Sequence, residues 1–243
     1  MKFEIKNYSK LFKNGAGINE LSMEFNSGDI VGLIGDNGAG KSTFIKCIFR
    51  EYEKDTGEIY LDGENMQIKD LRKFSLFPDQ SIYPSGISIY DFMYYTASLS
   101  GIKNKEIKEI VLKALQAVNL LEYKNKTFKN LSAGMQKRAL LANALITKPK
   151  VLFLDEPTAN LDVKTRVQFL DLLKSLAEQG MAIIITTHLI DELAQIINRL
   201  VIIEKGEKVF EDVINKTTDI RKIYQDVTIS SSEKINLSVF TSN

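Results

Sequence analysis

Cysteine and histidine occur once each in the 243 residues, and no uninterrupted apolar run is long enough to span a bilayer. The lone Cys47 excludes an internal disulfide, and inside an apolar helical pattern it reads as a small buried residue. An excess of one charge is missing too. Lys+Arg 32 against Asp+Glu 31 leaves a formal +1, which offers no electrostatic reason to expect nucleic acid or anionic lipid as the main partner. Any membrane contact must then run through protein. The opening "MKFEIKNYSKLFKNG" alternates charged and apolar residues without the apolar core of a signal peptide, so the chain is expected to be soluble and cytoplasmic. Repeats and low-complexity tracts are absent, and only the serines at 230–232 form a loose stretch.

What is present is an alternation of strands and helices. "MKFEIKN" and "INELSMEF" alternate like half-exposed strands, whereas "DIVGLI", "KVLFLD" and "MAIIITT" are continuous apolar runs, the pattern of parallel strands covered on both faces. These last three are expected at the centre of the sheet. Helical periodicity is read at 41–50, 89–99, 104–119, 133–146, 163–179 and 189–196, and "RLVIIEKGEKVFED" reads as two strands joined at Gly206. The expected fold class is α/β, and at this length one domain buries an adequate core without staples. It divides into a core over 1–86 and 147–210 with an N-terminal antiparallel β subdomain, an inserted helical subdomain over 87–146, and a tail over 211–243 with no assigned role.

Three glycines, a lysine and two hydroxyls follow the buried run "IVGLI" in "GDNGAGKST". This stretch satisfies G-x-x-x-x-G-K-S through Gly35, Gly40, Lys41 and Ser42, where the chain turns from strand to helix. Glycines let the backbone curl so that the N–H groups of Asp36, Asn37, Gly38 and Ala39 point at phosphate oxygens, and the following helix adds the positive end of its dipole. Lys41 would reach the β- and γ-phosphates and Ser42 would place its hydroxyl on Mg²⁺. Thr43 is left to neighbouring phosphate oxygens or to capping.

A phosphate cradle alone does not separate kinase, GTPase and ATPase. "VLFLDEPTANLD" puts Asp155 and Glu156 at the carboxyl end of an apolar strand, the sheet edge on which ligands bind. Neighbouring residues there point in different directions, so Asp155 is assigned to Mg²⁺ and Glu156 to the attacking water as base. His188 ends "AIIITTH" at the same edge, within reach of a γ-phosphate or its water. "NLSAGMQKRALLANAL" opens a further helix with Ser132 as cap and Gly134 in its first turn, an arrangement that also suits an anion.

With these residues in order, the chain resembles the nucleotide-binding subunit of ATP-binding cassette (ABC) transporters over residues 1 to 210. The Walker A stretch "GDNGAGKST", the signature "LSAGM", the Walker B run "VLFLDEP", the D-loop "ANLD" at 159–162 and the switch "TTH" carry the resemblance. It implies a P-loop NTPase core of the RecA-like kind and a head-to-tail pair of cassettes, homodimer or heterodimer, with two ATPs between them. Each nucleotide would be held by one chain's glycine loop and the other chain's signature, so that Ser132 and Gly134 contact the partner's γ-phosphate. In such proteins Glu156 polarises the water, His188 steadies the γ-phosphate and Asp162 couples the two sites. The adenine-stacking aromatic falls in "SKLF" at Phe12, whose other reading is a core phenylalanine.

The resemblance also implies a separately encoded membrane permease, with this chain peripheral on the cytoplasmic face. Ala133 and Met135 stand where the commonest signature has glycine and glutamine, a variant similar to bacterial exporter cassettes. The Q-loop glutamine, expected after "FSLFP", is Gln80 or is replaced by Asp79; Gln80 is taken as the Mg²⁺ contact. Tyr83, Ile87, Ile89, Tyr90, Phe92 and Tyr94 read as a groove for a permease helix or as subdomain core. Three rivals remain: a non-transport cassette ATPase acting on a soluble assembly, a GTPase lacking its N-K-x-D element, and a degenerate binding module.

Overall fold

A computed structural model describes residues 1–77, 83, 86–188, 190–215 and 217–228. Asp79, Gln80 and the serines at 230–232 lie outside the described residues. In chain order the elements are β1 (Lys2–Leu11), β2 (Gly17–Asn26), β3 (Ile30–Ile34), α1 (Lys41–Ile48), β4 (Thr56–Leu61), β5 (Glu64–Asn65), β6 (Phe74–Phe77), α2 (Ile89–Leu99), α3 (Asn104–Ala117), α4 (Ala133–Leu145), β7 (Val151–Asp155), α5 (Val163–Glu178), β8 (Ala182–Thr187), α6 (Ile190–Leu193), β9 (Arg199–Glu204), β10 (Glu207–Val213) and α7 (Ile220–Thr228).

Two sheets result. The larger runs β10-β9-β3-β8-β7-β6, parallel except for the β9–β10 hairpin, and the smaller is antiparallel in the order β2-β1-β4-β5. The three continuous apolar runs become β3, β8 and β7, side by side in the middle of the larger sheet, because strands with no polar face must be covered on both sides. One face meets the small sheet and α1. There Phe153 on β7 lies 5.6 Å from Phe49, 6.3 Å from Phe44 and 6.3 Å from Phe74, ring centroid to centroid. Burial of a phenylalanine contributes about 1.5–3 kcal/mol, so this cluster anchors the strand that ends in Asp155.

The other face carries the helices. Residues from α2 (Ile89, Met93), α3 (Ile107, Val111, Leu115) and α5 (Phe169, Leu173) share a single hydrophobic cluster with Leu152, Leu154 and Ile183 of the sheet. The helical block therefore packs as an extension of the core. Of the aromatic stretch after β6, Ile89 is fully buried, and Tyr83, Tyr90, Phe92 and Tyr94 pack against this cluster, with Tyr83 stacked on Phe128 at 4.9 Å. That is the core reading. The apolar side chains α2 leaves in solvent are instead Tyr95 and Leu99, 56% and 90% exposed.

Three elements were not expected from the sequence. β4 and β5 complete the antiparallel sheet, with Ile59 and Leu61 buried beneath it. The third, α7, lies in the tail that had no role: Ile220 is buried, and Ile223, Tyr224 and Val227 pack against the helical-face cluster. β10 also carries the strand pair on to Val213, past residue 210.

Candidate functional site

Parallel pairing puts the ends of three strands at one edge. Ile34 pairs with Thr187 and Asp155 with Thr186, so the glycine loop after β3, the carboxylates after β7 and the histidine after β8 leave the sheet together. A cavity of about 320 Å³ opens there, lined by Ala16, Gly17, Asn37, Gly38, Gly40, Lys41, Ser42, Thr43, Asp155 and Glu156.

Gly40 is the N-cap of α1 at φ 106, and a Cβ at that position would run into the Gly17 carbonyl. Only glycine satisfies both demands. The first turn of α1 has no side-chain cap and no acidic residue, so its N–H groups and its positive dipole end stay available to an anion. Lys41 folds back into the loop, donating from Nζ to the Gly35 carbonyl at 2.5 Å and the Asp36 carbonyl at 3.1 Å. Burial pushes its pKa below the ordinary lysine value, against the pull of Glu156, Asp155 and Asp36. A phosphate placed in the cavity would restore the lost stabilisation of the charge.

Across the cavity, the Ser42 hydroxyl donates to Asp155 Oδ2 at 3.3 Å, and the Thr186 hydroxyl donates to the other oxygen of the same carboxylate. Glu156 sits at φ 46, a left-handed backbone rare for a residue with a side chain. Its neighbours hold it there. Its N–H donates to the Thr186 carbonyl at 3.1 Å, and its own carbonyl accepts from the Lys137 ammonium at 3.4 Å. The carboxylate accepts from the Thr187 hydroxyl at 3.1 Å, and His188 Nδ1 lies 2.8 Å from Oε1. Since a carboxylate accepts, Nδ1 carries the proton.

Phe12, Ser132, Gly134 and Asp162 do not line this cavity. Phe12 sits in the β1–β2 turn, 37% exposed and edge-on to Tyr52 at 5.3 Å, which rules out a core position. Ser132 accepts from the Met135 N–H at 3.3 Å and caps α4. Asp162 caps α5, accepting from the Thr165 N–H at 3.0 Å and from its hydroxyl at 2.6 Å, bonds that lower its pKa. Between these two helix tips, Gly134 leaves the space that the Thr165 methyl occupies, and a Cβ there would clash with it. Signature and D-loop are thus packed on each other within one chain.

Several site neighbours escaped the sequence reading. Gly17 and Ala16 reach the cavity from the distant hairpin, a placement no local pattern encodes. Thr186 and Thr187 were visible as the "TT" before His188. Lys137 is fully buried, its ammonium 5.4 Å from the centroid of the Phe77 ring, where helical periodicity predicts only a polar position. Among the described residues no helix is long and apolar enough to cross a membrane, and no cluster of three or more His, Cys, Asp or Glu could hold a metal unaided.

Comparison with known proteins agrees with this geometry. The ABC transporter family model matches residues 18–159, more than half of the chain. The SkfA peptide export ATP-binding protein SkfE of Bacillus subtilis is 32% identical over 211 residues, 86% of this chain and 88% of that protein. The phosphonates import ATP-binding protein PhnC of Bacillus cereus is also 32% identical, over 97% of this chain and 99% of its own. A solved structure described as the ATP-binding subunit of an ABC transporter superposes with a TM-score of 0.81 at 21% identity, covering 94% of this chain and all of that one. The fold is that of a P-loop NTPase, a mostly parallel sheet with an antiparallel N-terminal sheet and flanking helices. By the length and identity of these matches, the chain belongs to the ABC transporter family, among its ATP-binding subunits.

Proposed function

We propose that the chain is a Mg²⁺-dependent ATPase that pairs head to tail with a second cassette around two nucleotides and drives a separate membrane permease in the export direction. One observation carries this reading: a single cavity joins an uncapped helix tip, a lysine and a serine hydroxyl to two strand-end carboxylates. The donor chemistry fits Mg²⁺, which favours one or two carboxylates completed by substrate phosphates and water over an all-protein cage. Ser42 and Asp155 would hold it, with Gln80, which lies outside the described residues, as third contact. Bound there, the ion neutralises charge on the β- and γ-phosphates.

The chain's own residues do the rest. The N–H groups of Gly35 to Thr43 and the Lys41 ammonium bind the phosphates. Glu156 orients the water and takes its proton at the carboxylate, while His188 and Thr187 hold that carboxylate in place. Phe12, exposed beside the cavity's hairpin wall, stacks on adenine. Ser132 and Gly134 meet the γ-phosphate bound by the other copy, and Asp162, packed beside them through Thr165, links the two sites. Residues 87–146 form the lever between nucleotide and permease, against a core of 1–86 and 147–210.

Export rests on the Ala133 and Met135 form of the signature, in keeping with the peptide-export relative. The phosphonate-import relative is equally similar in identity. Transport in vesicles bearing chain and permease distinguishes the two directions. The purified chain should hydrolyse ATP only with Mg²⁺ and should co-purify with a membrane subunit. Mg²⁺-independent turnover, or association with a soluble assembly alone, would overturn the reading.

A further inference from the structure

The nucleotide loop is touched from outside the catalytic core. α7 docks through Ile220, Ile223, Tyr224 and Val227, spaced i, i+3, i+4, i+7, so its apolar face fixes the helix on the main cluster. Asp219 caps it, accepting from the Lys222 N–H at 3.0 Å. From that anchored helix the Tyr224 hydroxyl donates to Asp36 Oδ1 at 2.7 Å, joining residues 188 apart in the chain. Burial, and after it this bond to Asp36, pushes the phenol up to about 12, so it remains a donor through the neutral range.

Asp36 is the loop residue whose carbonyl accepts from both the Ala39 N–H at 3.1 Å and the Lys41 ammonium at 3.1 Å. It is also the only carboxylate within 35–43, a stretch that must receive a polyanion. A donor that engages this side chain therefore serves twice. It fixes the residue on which the curl of the loop turns, and it keeps a like charge from moving freely beside the phosphates.

We propose that Tyr224 is a positioning residue for the phosphate loop, holding Asp36 so that the loop is shaped for nucleotide before nucleotide arrives. Nucleotide affinity then depends on a helix of the tail, while the chemistry at Glu156 does not. This inference rests on the reading of 35–43 as the ATP cradle.

The test uses the full chain and Mg-ADP, which loads the cradle without turnover. Tyr224→Phe keeps the ring that packs α7 and removes only the donor. Its Kd for Mg-ADP by calorimetry should rise roughly three- to tenfold, the share of a charge-assisted hydrogen bond lost with preorganisation. Its KM for ATP should rise in step, with kcat at saturating ATP within about twofold of the parent. In an Asp36→Ala background the same change should alter Kd by less than about 1.5-fold, because the acceptor is already gone. An unchanged Kd for Tyr224→Phe, or an equal loss in both backgrounds, overturns the inference. Failure of the parent chain to bind Mg-ADP or Mg-ATP overturns the cradle reading instead, so the two failures are distinct.

Discussion

Two helices of this chain end at proposed nucleotide contacts, and they finish their N-termini in opposite ways. At α1 the N-cap is Gly40, which has no side chain to close the first turn; at α4 the N-cap is Ser132, which accepts from the Met135 N–H. An open turn must find acceptors elsewhere, and an anion supplies them. A closed turn gains less. On the function proposed above, this difference would give the primary grip on phosphate to α1, with its lysine behind it, and leave α4 as a secondary contact to a nucleotide held by a second copy. The same contrast appears in packing: Gly40 is enforced by the β2 carbonyl at Gly17, whereas Gly134 is enforced by Thr165 on the D-loop helix.

The largest expected effect lies at the chemistry both tips serve. Glu156→Gln should lower kcat by about 10²–10⁴-fold while Mg-ATP still binds, as read by steady-state turnover beside calorimetry. Unchanged turnover would remove Glu156 from its role. Next comes the primary grip. Lys41→Ala should raise the Kd of a single chain for Mg-ADP roughly 10–100-fold, the worth of a charge-assisted hydrogen bond, whereas Ser132→Ala should leave that Kd unchanged. Equal losses at the two positions would erase the distinction between the helices.

A smaller effect tests the packing at the secondary tip. Gly134→Ala should destabilise the chain by about 1–3 kcal/mol in urea unfolding, and Thr165→Ser, which lacks the obstructing methyl, should recover part of that loss. If the double variant recovers nothing, steric crowding is not why glycine stands there. Smallest is the cap itself: Ser132→Ala should cost about 1 kcal/mol of stability.

Much of this arrangement was legible in the chain because its signals are local and strong. The apolar runs ending at Ile34, Asp155 and Thr187 carry period and length enough to read as buried parallel strands, and their shared edge follows from topology alone. Of the helix caps, only Ser132 at α4 was read in the chain; Ser88 and Asp162 also stand at the N-caps of α2 and α5. What escaped was short or distant. β4 is six residues broken by Gly57 and β5 is two, too brief for a period of two to register. α7 shows its apolar stripe at Ile220, Ile223, Tyr224 and Val227, but over nine residues such a stripe is weak until a core is there to receive it. α6 was expected over eight residues and keeps four, Ile190–Leu193. The Tyr224–Asp36 bond and the Gly17 wall of the cavity depend on tertiary placement, which no window of sequence contains.

The central claim is that the nucleotide is completed at a seam between two chains, and its most direct test is the mass of the particle. With Glu156→Gln to hold the closed state, sedimentation equilibrium should find one chain of 27.5 kDa without nucleotide. With Mg-ATP it should find a pair, and Ser132→Arg at the seam should abolish that pair without abolishing binding. Full ATP turnover by the parent chain while its mass stays at a single chain would contradict the account.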